Sequence, residues 1–258
     1  MPPITLELLC SSLADCLAAT AGGADRIELC VARTLGGLSP SPALTTAAVR
    51  ATPLPVMALI RPRQSGFAYS DAEYALMLDE AAALLAAGAA GLVVGMLTAE
   101  RQVDLPRLRQ FVTLAAGRPL TFHRAFDSVA DPARALEALI DAGVSRVLTA
   151  GGASVALAGM RQLAALAAQA DGRIAIQAGG GITAANVVAV AQGSGCREIH
   201  GSFTRWALDP TVSDQGVALG AVTAGSEARY PVTDEAQVRI VRGLLDDLAG
   251  AGERGERN

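Results

Sequence analysis

Six short apolar stretches of the chain each hold one polar residue between apolar or small neighbours. They are Leu6-Glu7-Leu8, Ile27-Glu28-Leu29, Phe122-His123-Arg124, Leu148-Thr149-Ala150, Ile176-Gln177-Ala178 and Ile199-His200-Gly201. The set takes in both histidines of the chain and two of its glutamates. A carboxylate in such surroundings is costly unless it is paired, hydrogen-bonded or bound to a metal. Side chains alternate between the faces of a strand, so apolar flanks packed on one side leave the polar residues together on the other. Carboxylates gathered this way repel one another, which raises the pKa of one of them and lets it hold a proton as a general acid must. Glu7, Glu28, His123 and His200 are therefore the candidate acid–base residues.

Around them stand groups suited to a small anionic molecule. Arg61 and Arg63 in "LIRPR" stand at the end of a further apolar stretch, 55–61, and Thr149, Gln177 and Ser202 add an amide and two hydroxyls. The run Gly179-Gly180-Gly181, placed before a helix start, leaves backbone N–H groups free for a phosphate or carboxylate. Arg124 has the opposite parity to His123 and is expected to pair with Asp127 and pin its loop. The acidic pair is compatible with a divalent ion, and nothing implies a nucleotide cofactor. The plainer alternative is a closed polar interior that only holds the fold together.

The elements that must position these residues recur in one pattern: a short strand, a turn, then an amphipathic helix ending at glycine. Strands are expected at 4–9, 25–30, 55–61, 91–97, 119–125, 145–150, 173–178 and 198–202, with helices near 12–21, 41–51, 70–87, 104–116, 131–142, 155–170, 184–193 and 233–248. Ser70-Asp71-Ala72-Glu73 fits a capping box, and Asp131-Pro132 and Asp104-Leu105-Pro106 fit helix starts. Gly22, Gly88, Gly117 and Gly143 fall where a positive φ closes a helix. Eight such units in 258 residues predict an α/β chain folded as a single-domain (β/α)8 TIM barrel over 1–248 with a flexible tail at 249–258. An open doubly wound sheet is the runner-up. Active sites of barrels lie at the C-terminal ends of the strands. Residues 204–231 lack periodicity and are expected to form a loop over one barrel face.

Composition narrows the partners. Net charge is −4, so neither nucleic acid nor an anionic membrane is an expected partner. All 21 basic residues are arginine, which excludes Schiff-base catalysis and a lysine-based phosphate loop. Residues 81–99 carry no charge, but Gly88, Gly91 and Gly95 interrupt them, and they read as a helix end, a turn and a buried strand. The cysteines Cys10, Cys16, Cys30 and Cys196 form no C-x-x-C pair and are expected to be reduced thiols in the cytoplasm.

The ordered set "GGADRIELC", "GGLSPS", "IRPR", "TFHRAFD", "GVSRVLTAGG", "GGGI…N" and "REIHGS" resembles the CutC copper-homeostasis family over about residues 4–205. The resemblance implies a (β/α)8 barrel, a cytoplasmic homo-oligomer (dimer or tetramer) and copper handling through Cu(I) held by two cysteines at the ends of the first two strands. Cys30 matches the second of these. Leu9 stands at the first, with Cys10 one residue later and of reversed parity. A second departure is Leu35 before Gly36-Gly37, where the family has Glu. The copper ion and a small anionic molecule are thus the two candidate partners.

Overall fold

A computed structural model describes residues 3–211 and 229–255. Eight parallel strands close into a barrel in sequence order, each paired with the next and β8 with β1. They are β1 Thr5–Cys10, β2 Arg26–Leu29, β3 Val56–Leu59, β4 Gly91–Val94, β5 Leu120–Phe122, β6 Arg146–Thr149, β7 Ala175–Gly179 and β8 Glu198–Gly201. Between them run α1 Leu13–Ala21, α2 Pro42–Ala51, α3 Asp71–Ala86, α4 Leu105–Ala115, α5 Pro132–Asp141, α6 Met160–Ala170 and α7 Val187–Ser194. The main apolar core lies between the strands and this ring of helices, with Leu6, Leu8, Ile27, Leu29, Phe111 and Phe122 all fully buried in it. The doubly wound alternative is excluded by the closed strand order.

Local chemistry accounts for the element starts. Ser70 and Glu73 form the reciprocal capping box at α3. Asp104 and Asp131 accept from backbone N–H groups at the starts of α4 and α5, each with proline in the first turn. The positive φ after α1 belongs to Gly23, not Gly22, because one further residue continues the helical turn before the chain reverses. The uncharged run 81–99 is the end of α3, a turn at Gly88 and β4, and no described helix is long and apolar enough to cross a membrane.

Several elements are shorter than expected, with β3, β4 and β5 ending at Leu59, Val94 and Phe122 and α6 starting at Met160, and the chain after β8 departs further. Thr204–Leu208 (β9) and Arg229–Thr233 (β10) pair as an antiparallel ladder, although their alternation is too weak to read as strands. The middle of the expected loop, 212–228, lies outside the described residues. The last helix, α8 Glu235–Gly255, runs through most of the expected tail. Extending an existing helix adds a hydrogen bond for each residue fixed and needs no new nucleus. Residues 256–258 are outside the described residues.

Candidate active site

Register sorts the strand residues by face. Glu7 lies beside Arg26 on one side and His200 on the other, Leu9 beside Glu28, Leu148 beside Gln177, and Gly179 beside His200. All of these point into the barrel. Beside Glu28 and Leu9, Cys30, Met57, Leu59 and Val93 form a small apolar cluster of their own.

Below the cavity lies a charged floor. Arg26 bonds Glu7 and reaches Glu198 at 2.5 Å. Arg146 bonds Glu198 and donates to Thr121 Oγ1 at 3.1 Å. Glu7 is fully buried, and its second oxygen accepts from Gln177 Nε2 and contacts His200 Nδ1, each at 2.9 Å. Burial works against ionising Glu7, but the hydrogen bond from His200 and the charge of Arg26 outweigh it and hold the carboxyl well below the ordinary range.

Glu28 sits one layer higher, in a different state. It is 4 % exposed, and its Oε2 has no hydrogen-bond partner among the described residues. Burial, reinforced by the charge of Glu7, raises its pKa to about 7. His200 Nδ1 lies 3.8 Å from Glu28 Oε2. Burial disfavours the His200 cation, yet the Glu7 hydrogen bond and the two carboxylates raise its pKa. Two glutamates two strand positions apart in height thus hold opposite protonation preferences.

A cavity of about 510 Å³ opens above this layer at the C-terminal ends of the strands, lined by Glu28, His200, His123 and Arg61 among others. His123 Nδ1 accepts from Ala125 N–H at 3.1 Å, so the ring proton is on Nε2. That Nε2 is buried with no partner among the described residues. Burial and the nearby Arg61 charge push the His123 pKa down to about 3, so the ring is a neutral donor. Gly95 makes room for it, since a Cβ at 95 would overlap the imidazole. Arg61 is fixed by the carbonyls of Leu35, Gly37 and Ser65 at 3.0, 2.8 and 3.2 Å, and leaves Nε without a partner among the described residues. Gly180, Gly181 and Ser202 line the same cavity, while Gly179 packs beneath them against Leu148 and His200.

Gln177, expected at the substrate, instead lies in the floor bonded to Glu7 and does not line the cavity, and three further expected site residues are placed elsewhere. Arg63 turns to Glu73 and to the carbonyls of Gln64, Gly66 and Ala68, where its guanidinium closes the loop before α3. Thr149 has outward parity, because register sets Leu148 beside Gln177, and its hydroxyl donates to Asp127. Cys10 is also on the outer parity, packed in the main core against Cys16, whereas Cys30 faces the lumen. The two strand-end thiols are on opposite faces of the barrel wall and do not form a pair. Arg124 does bond Asp127 at 2.7 Å, from a short 3-10 turn at Arg124–Ser128 rather than from the strand.

Arg26, Arg146 and Glu198 escaped the sequence reading. Each opens its strand beside a turn residue, without an apolar flank on both sides. Counting back two positions from Glu28, Leu148 and His200 along the same face finds all three.

A model of the CutC family matches residues 4–205. The chain belongs to the CutC family. A family protein CutC of Chromobacterium violaceum is 40% identical over 242 residues, spanning 93% of this chain and 98% of that one. A copper homeostasis protein cutC homolog of Homo sapiens is 38% identical over 245 residues, spanning 94% and 89%. The crystal structure of a putative copper homeostasis protein CutC from Streptococcus agalactiae superposes with a TM-score of 0.73 at 29% identity, covering 77% of this chain and 98% of that one.

Within this CutC chain the donors available to a metal are of two kinds. Glu7, Glu28 and His200 offer ligand atoms within 4.8 Å of one another, a carboxylate–imidazole set suited to a borderline or hard divalent ion. An ion there would have to displace the His200 proton and compete with Arg26 for Glu7. Copper(I) prefers two or more sulfur ligands. Cys30 is the inward thiol among the described residues, and burial, with the Glu28 charge, pushes its pKa up to about 12, so it keeps its proton at neutral pH.

Proposed function

We propose that this CutC protein is an enzyme that moves a proton on a small phosphorylated or carboxylated molecule, in an isomerase- or lyase-type reaction. The observation that carries the reading is one cavity whose lining residues carry an acid and a donor without partners among the described residues, Glu28 Oε2 and His123 Nε2, beside the equally unpartnered Nε of Arg61. A carboxyl with a pKa of about 7 exchanges a proton readily at neutral pH. A neutral imidazole N–H stabilises negative charge developing on a substrate oxygen without giving up its proton. Burial and the charge of Glu7 hold the proton on Glu28 against the pull of His200, and Gln177 fixes Glu7. The positive charges of Arg61 and Arg124 at the cavity suit an anionic substrate.

The test is exchange of carbon-bound hydrogen in D2O, followed by proton NMR, across a panel of small phosphorylated and carboxylated carbonyl compounds. Exchange on one of them, lost in Glu28→Gln, supports the reading. No exchange and no turnover on any of them refutes it.

Copper handling is the second reading, favoured by the similarity to the human copper homeostasis protein cutC homolog. Copper(I) would be cargo here, held by Cys30 with Cys10 as the expected partner, and Cys10 would have to cross the barrel wall to join it. Tight Cu(I) binding that disappears in Cys30→Ser supports this reading, and equal affinity in that variant removes it. We place the protein in the cytoplasm as a homo-oligomer, to be checked by fractionation and by light scattering of the purified chain.

A further inference from the structure

We propose that the cavity rim between β7 and β8 seats the phosphate of a small phosphate monoester, held by Arg124 Nη1, the backbone N–H groups of Gly180 and Gly181, and Ser202. The inference rests on the proton-transfer reading and names the class of substrate it takes.

Arg124 is clamped in a way that leaves one donor over. Its Nε donates to Asp127 at 2.7 Å, and its Nη2 to the carbonyls of Ala153 and Ser154 at 3.1 and 3.3 Å. Nη1 donates to no described residue. It lies directly over Gly180, where a Cβ would be 2.9 Å from Nη1 and 3.1 Å from Cζ. Gly180 has φ +100° and Gly181 φ +66°, a backbone that favours glycine. The N–H groups of Gly180, Gly181 and Ser202, and the Ser202 hydroxyl, have no acceptor among the described residues. All four residues line the cavity that holds Glu28 and His123.

The geometry selects phosphate over carboxylate. Donors arrive from three directions, after β5, β7 and β8, and a tetrahedral anion with three free oxygens can meet all of them, whereas a planar carboxylate presents two oxygens in one plane. The loops after strands seven and eight are also where barrels of this class repeatedly hold phosphate. Asp127 is the anion nearest the seat. It lines the same cavity, and its oxygens are taken up by Arg124, Thr149 Oγ1, and the N–H groups of Ala150 and Gly152 at 2.9 and 3.0 Å, so its charge is met by its own donors. Arg61 and a protonated His200 add positive potential. A cavity of about 510 Å³ has room for the carbon skeleton to extend from the seat toward Glu28 and His123.

The experiment is isothermal titration of the full chain with inorganic phosphate, sn-glycerol 3-phosphate, glycerol and malonate, repeated on Arg124→Gln, Ser202→Ala and Glu28→Gln. Phosphate and glycerol phosphate should bind, glycerol should not, and malonate should bind at least about tenfold more weakly. Losing the charged donor in Arg124→Gln should weaken phosphate binding by about 10- to 100-fold, and Ser202→Ala by a few-fold. Glu28→Gln should retain it. Should Arg124→Gln lose its cooperative melt, the Ser202→Ala affinity and the preference for phosphate over malonate decide. Malonate binding as tightly as phosphate, or phosphate affinity unchanged in folded Arg124→Gln, overturns the seat. Phosphate binding that depends on Arg124, with no carbon–hydrogen exchange on any phosphorylated carbonyl compound, sinks the proton-transfer reading and leaves the seat standing. Exchange confined to unphosphorylated acids does the reverse.

Discussion

Glu28→Gln removes the carboxyl that the cavity keeps near neutrality, and its effect on stability must change with pH. The Glu28 pKa stands at about 7 against an ordinary 4.5. Between those values the folded protein holds a proton that the unfolded chain has released, so stability falls as pH rises through the window and levels off above it. For a fully buried group a displacement of that size corresponds to about 3 kcal/mol. Glutamine copies the protonated carboxyl in shape and cannot ionise, so it escapes the loss. The His200 cation returns part of the cost to the parent by attracting ionised Glu28 across 3.8 Å. The variant should therefore gain about 2–3 kcal/mol on the parent between pH 5 and pH 8.5, on top of a constant offset from the new amide. Urea denaturation at half-unit steps from pH 5 to 9 reads this difference directly. A gap that stays constant, or that moves against the variant as pH rises, would mean the ionised form is the favoured one, and the proton required of Glu28 would be missing.

His123 should show no titration between about pH 5 and 9 in nitrogen–proton NMR, with its proton on Nε2, because burial and Arg61 hold its pKa near 3. His200 should titrate above the ordinary histidine value in the same spectra, and equal behaviour of the two rings would contradict the site as described. Arg26→Met strands the buried Glu7 carboxylate and takes one of two arginines from Glu198, and should lower urea stability by about 3–5 kcal/mol. A loss under about 1 kcal/mol would show that the floor does not depend on it. Gly95→Ala drives a methyl into the His123 ring while leaving β4 intact, so its circular dichroism should match the parent while turnover falls on the order of 100-fold. Unchanged turnover would take His123 out of the chemistry.

The barrel was legible because each of its eight units repeats the same local signals, and no single unit had to be read well. The lumen was partly legible for a different reason. A polar residue between two apolar ones announces its face, and that found Glu7, Glu28, Gln177 and His200 together. The rule failed at Thr149, where small Ala150 and apolar Leu148 made the flanks ambiguous and the cavity side went to Leu148. It was silent for Arg26, Arg146 and Glu198, whose neighbours on the turn side are polar. Arg63 was misassigned because proximity to a strand end says nothing about which way a long side chain folds, and Glu73 on the following helix captured it. The parity change between Leu9 and Cys10 was readable from the sequence and predicted the outward thiol seen in the structure.

The floor explains why the two inward glutamates divide the work. Glu7 has no spare valence for chemistry: Arg26 holds one oxygen, and Gln177 and His200 share the other. A carboxylate tied down this way stays ionised at any pH at which the protein is folded and functioning, so it positions and charges its surroundings without exchanging protons. The proposed acid–base role therefore falls to Glu28, which has the same immediate flanks but lies above the arginine layer, with no guanidinium bonded to it among the described residues. The charges of His200 and Arg26 offset its burial only in part, and the fixed charge of Glu7 adds to the pressure toward protonation. The floor thus serves the cavity by supplying a permanent negative charge at fixed distance. The proton on Glu28 is first a consequence of its burial, and the ionised Glu7 beneath it adds to that pressure.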